Sequence, residues 1–135
     1  MDEHRENRLQ RDSLETLRKE GKFSEFVLVA WGIIEFNLDN AILREYCLSS
    51  QNPKSDILLN INVARKLRLQ KKLSFLTAQD YKKVKKFQQW RNKFFHKKGI
   101  FVSNLSESEK NKVMDIATKA VDVTHNLRER VFSLT

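Results

Sequence analysis

Apolar positions recur at three- and four-residue intervals through most of this chain, and each such run predicts a helix. Residues 2 to 20 are charged throughout, with Leu9, Leu14 and Leu17 as a thin apolar edge. They predict a surface helix from about Glu6 to Glu20, frayed at its start and ended by Gly21. The next segment opens at Lys22 or Ser24, runs to about Leu48, and is the most hydrophobic. Phe23, Phe26, Val27, Ala30, Ile33, Ile34, Ala41 and Ile42 form a wide stripe there, which predicts the central core helix. Asn37 falls on that apolar face, as a satisfied core amide or a site residue, the former being commoner.

Ser49 to Lys54, with Asn52-Pro53, is the clearest break. Ser55 or Asp56 then caps a third helix, Ile57 to Leu69, and Leu73, Phe75 and Leu76 pin the following connection to the core. Thr77, with Asp80 three residues on, caps a fourth helix from Ala78 to about Phe95, which Gly99 ends. Ile100 to Leu105 reads as a short extended piece or an irregular loop. Ser106 and Glu109 make a capping box for the last helix, which runs to about Phe132. Val113, Ile116, Ala117, Ala120, Val123, Leu127 and Val131 form its stripe; His125, on the edge, reads as surface or semi-buried rather than catalytic. The fold expected is all-α: an up-and-down bundle of four main helices plus an N-terminal one. Residues 1–20 are the charged helix and residues 21–135 a single bundle.

Composition narrows the classes. The 135 residues include three Gly and one Pro, which suits long helices. The longest apolar run, Phe26 to Phe36, is broken by Gly32 and Glu35 and falls short of the roughly 18–20 residues of a membrane span. The start is too charged for a secretory signal, and the single cysteine, Cys47, suits a reducing cytoplasm. With no zinc-type Cys/His spacing and no glycine-rich phosphate loop, no metal or cofactor is expected.

The charge is concentrated. Between Ile57 and Ser106 lie thirteen basic residues and one acid, Asp80, out of 26 basic and 17 acidic residues in all. Such a block is the footprint of a surface for RNA, a nucleotide or another polyanion, or of a solvated lysine-rich helix. No helix-turn-helix is evident that would favour a transcriptional regulator.

The candidate chemistry lies at the end of the fourth helix, Trp90-Arg91-Asn92-Lys93-Phe94-Phe95-His96-Lys97-Lys98-Gly99. Arg91 falls in the middle of the apolar stripe. A guanidinium there must be paired or hydrogen-bonded, since burying it alone costs several kcal/mol. Arg91 and His96 diverge by about 140° on an ideal helix. They meet if the helix unwinds near His96, or if a second copy of the chain supplies one of them. Glu35, four residues after Trp31 on the core helix, sits in solvent or serves as the counter-charge of Arg91.

Arg91-Asn92-(three residues)-His96, at the end of a basic helix, resembles the signature of the HEPN superfamily. Trp31-(three residues)-Glu35-(two residues)-Leu38 in the long apolar helix is similar to the second helix of many members, and the likeness spans roughly Phe23 to His125. It implies a homodimer, with the motif residues of two copies meeting in one cleft. It also implies a metal-independent endoribonuclease of the defence, toxin–antitoxin or RNA-processing kind, or else a non-catalytic module that binds a nucleotide, nucleic acid or protein. The protein partner implied is an antitoxin or another protein, for example a nucleotidyltransferase.

In the ribonuclease reading the substrate's own 2′-OH is the nucleophile. His96 is the acid/base, because an imidazole titrates near neutral pH. Arg91 clamps the scissile phosphate, and Asn92 orients the phosphate or His96. Lys82, Lys86, Lys93, Lys97 and Lys98 hold flanking phosphates, while Glu35 and Trp31 support Arg91.

Overall fold

The computed structural model describes residues 3–49, 76–96 and 105–132, with side chains for 5–41, 76–93 and 105–131. It is all-α: the described residues form four helices and no strand. They are α1 (Glu3–Lys19), α2 (Phe23–Ser49), α3 (Ala78–His96) and α4 (Glu107–Phe132). The expected helix from Ile57 to Leu69, the Asn52-Pro53 break, Leu73, Phe75 and residues 97–104 lie outside the described residues. No described helix is long and apolar enough to cross a membrane.

Local chemistry sets the helix ends. Gly21 adopts φ 70°. Its N–H donates to the Arg18 carbonyl at 3.1 Å, and that of Lys22 to the Leu17 carbonyl at 3.0 Å. This is a Schellman cap, which satisfies carbonyls the helix leaves open and turns the chain into α2. At the start of α3, the Asp80 N–H donates to Thr77 Oγ1 at 3.1 Å. At α4 the capping box is reciprocal: Glu109 N–H to Ser106 Oγ and Ser106 N–H to Glu109 Oε1, both 3.1 Å.

Tertiary packing gives α4 the central place among the described helices. It lies against α2 most extensively, then α3, and α1 rests on both α2 and α4. Arg130 near the end of α4 pairs with Asp80 at the start of α3 at 3.6 Å, so these two run antiparallel. The stripes meet as their spacing predicts. Phe26, Ile34, Leu38, Val84, Phe87 and Leu127 are fully enclosed, and Leu76 is buried just ahead of α3. Enclosing each large apolar side chain contributes about 1.5–3 kcal/mol.

Three expectations change. Helix α1 starts at Glu3, earlier than Glu6. Of its apolar edge, Leu14 is buried and Leu17 half-buried, but Leu9 is exposed. His125 is neither surface nor semi-buried: it is enclosed, 1% exposed, because α1 covers that flank of α4 and contacts it through Gln10.

Candidate nucleic-acid interface

Helix α3 carries Lys82, Lys83, Lys85, Lys86, Arg91 and Lys93 against the single acid Asp80. Its apolar stripe, Val84 and Phe87, turns Arg91 toward the bundle. Arg91 is half-buried, with its guanidinium carbon 5.1 Å from the centre of the Trp31 ring. Trp31 is itself buried and held edge-on by Phe87, ring centres 6.0 Å apart at 63°. A guanidinium suits this position because it is weakly hydrated and stacks on an indole face, for about 0.5–2 kcal/mol. Arg91 also donates to Asn92 Oδ1 at a long 3.4 Å. Of the two supporting residues expected, Trp31 touches Arg91. Glu35 is half-buried on the same helix as Trp31.

The helix remains regular through His96. The chain therefore does not unwind ahead of His96, and positions 91 and 96 sit about 140° apart around the helix axis. The His96 side chain, with Lys97 and Lys98, lies outside the described residues. Lys82, Lys86 and Lys93 share an arc of about 40° on the outer face, nearly opposite Arg91; Lys82 and Lys86 are exposed and Lys93 half-buried. Around the helix the order is Arg91, Asn92, His96, the lysine ridge, then Trp90. Trp90 is half-buried, with Lys93 Nζ 4.9 Å from its ring centre.

A second polar region escaped sequence reasoning. Helix α1 is tied to α4 by an antiparallel ladder. Asn7 donates to Glu129 at 2.8 Å, Arg11 meets Asp122 at 2.9 Å, and Arg18 meets Asp115 at 2.9 Å. Inside the ladder, Asn37 donates to Thr124 Oγ1 at 3.1 Å and accepts from Arg128 at 3.5 Å. Asn37 is thus the satisfied core amide of the two alternatives. His125 Nε2 lies 2.6 Å from Gln10 Oε1, so the ring donates there. Its buried Nδ1 meets no hydrogen-bond partner among the described residues. Burial, then the charges of Arg11 and Arg128, push the His125 pKa down to about 4, so the ring is neutral at pH 7. The usable signal was the i, i+3/i+4, i+7 spacing of Asn7, Gln10, Arg11, Leu14 and Arg18, a mostly polar stripe that apolar periodicity passes over. A half-open pocket of about 280 Å³ lies along this seam, lined by Arg11, Leu14, Arg18, Phe26 and Val121 and by none of the α3 residues.

No protein-family profile, curated protein or solved structure matches this chain.

Proposed function

We propose that the chain is a HEPN-type RNA-binding bundle whose α3 terminus forms half of a ribonuclease site completed by a second copy. The observation that carries this reading is Arg91, half-buried over Trp31 near the end of the basic helix, with Asn92 beside it and His96 five residues on. On a continuous helix Arg91 and His96 point apart, so one copy alone does not converge both on one phosphate. A two-fold homodimer that faces the α3 ends together removes that obstacle, because each copy then supplies what the other's helix turns away. Cleavage proceeds by attack of the 2′-OH on the adjacent phosphorus, giving a 2′,3′-cyclic phosphate and a free 5′-OH. One His96 accepts the 2′-OH proton, the other protonates the leaving 5′-oxygen, and Arg91 holds the phosphorane charge. Lys82, Lys86, Lys93, Lys97 and Lys98 carry the flanking phosphates.

The stack of Arg91 on Trp31 also favours a second reading. A guanidinium engaged on a buried ring serves the packing of α3 on α2, and the protein is then a non-catalytic module for RNA, a nucleotide or a protein partner. One comparison decides between them. Labelled RNA is incubated with the protein in excess chelator, beside an Arg91→Ala/His96→Ala double variant. Cleavage that persists in chelator and is absent from the folded variant supports the ribonuclease. Salt-sensitive binding with no cleavage supports the module.

A further inference from the structure

We infer that Trp90 is a base-stacking platform, which makes the preferred ligand a single-stranded nucleic acid; this rests on the reading of α3 as an RNA-binding face. The two tryptophans of the chain are placed differently. Trp31 is buried, with Phe87 at its edge and Arg91 on its ring, so no ligand base reaches it. Trp90 is half-buried and packs its inner side on the core. The ammonium of Lys93 lies 4.9 Å from its ring centre, which places a cation over the indole. Lys86 and Lys83, one and two turns back, are both exposed on the same side of the helix.

A flat π face set among ammoniums matches the two halves of a nucleotide, a base to stack and a phosphate to neutralise. A duplex offers such a surface only its phosphates and groove edges, because its base faces are already stacked on one another. An unpaired strand offers both. When a base covers the indole, Lys93 swings off it, and its freed ammonium meets the phosphate of the incoming nucleotide. Trp90 lies across the lysine ridge from His96, about 120° around the helix. The stacked base therefore belongs to a nucleotide flanking the reacting phosphate, not to the reacting one.

The test uses the full chain, a short oligouridylate, an abasic oligomer with the same number of phosphates, and a blunt RNA duplex. Stacking predicts roughly five- to a hundredfold tighter binding of the oligouridylate than of the abasic oligomer. Trp90→Leu, which keeps apolar bulk on the core, abolishes that preference; Trp90→Phe, which keeps a ring, retains most of it. Lys86→Gln weakens all three ligands alike. Tryptophan emission is quenched by oligouridylate in the wild type but not in Trp90→Phe, where Trp31 alone emits. If the two oligomers bind equally, or Trp90→Leu keeps the preference, the stacking inference is overturned while the basic-face reading stands. Absence of salt-sensitive binding to any of the three defeats both.

Discussion

Acid should loosen this bundle through one residue. His125 is enclosed beneath α1, donates through Nε2 to Gln10, and has nothing described to accept a second proton's hydrogen bond at Nδ1. Arg11 from α1 and Arg128 from α4 act on it, and Asn37 of α2 donates to the same Gln10 oxygen at 3.5 Å. The folded chain therefore holds the imidazole neutral down to about pH 4, whereas the unfolded chain protonates it near the ordinary 6.5. Between these values the unfolded state binds the extra proton, so stability rises with pH across this window. The contribution is complete above pH 6.5, falls as the pH drops through the window, and is lost by about pH 4. At about 1.4 kcal/mol per pH interval, the loss comes to roughly 3 kcal/mol. That is a large share of the 5–15 kcal/mol that typically holds a domain together. The measurement is a difference against a variant that lacks the imidazole, so that contributions common to both proteins cancel. Urea unfolding at pH 7 and pH 4 is compared for the wild type and for His125→Gln, whose amide can still donate to Gln10 but does not titrate. The wild type should lose roughly 3 kcal/mol more than the variant over that interval. Parallel pH profiles would refute the reasoning, as would an NMR titration placing the folded His125 pKa near 6.5.

The other expectations concern the backbone and the polar seam. Asn37→Ala removes one hydrogen bond from Thr124 and one from the buried Arg128 and should cost about 1–3 kcal/mol in denaturant unfolding, with loss of α1 amide protection in hydrogen exchange. Gly32 sits in the exposed middle of α2 with open space where a Cβ would go, so Gly32→Ala should raise stability by about 0.5–1 kcal/mol. Gly21→Ala places a Cβ on a left-handed residue and should lower it by about 1 kcal/mol, both read from thermal melts. Arg18→Ala removes an exposed ion pair and should change stability by under about 1 kcal/mol, less still in high salt.

The four described helices and most of their ends and inward faces were legible in the chain, the start of α1 and the exposure of Leu9 apart, because these depend on neighbours a few residues apart. Thr77, the Ser106/Glu109 pair and Gly21 close or open helices through contacts within one turn, and the apolar stripes of α2 and α4 are visible in their spacing. The inward turn of Arg91 was equally readable from its angle on α3. Its seat over the Trp31 ring was not, because that contact depends on where α3 crosses α2. The burial of His125 was hidden for a related reason. Polar side chains such as Gln10, Asn7 and Arg11 can face water or another helix with the same local spacing. Only the docking of α1 on α4, separated by about a hundred residues of chain, drew them onto the seam that covers His125. Periodicity tells which side of a helix avoids water; only the crossing of helices decides which polar groups are drawn in with it.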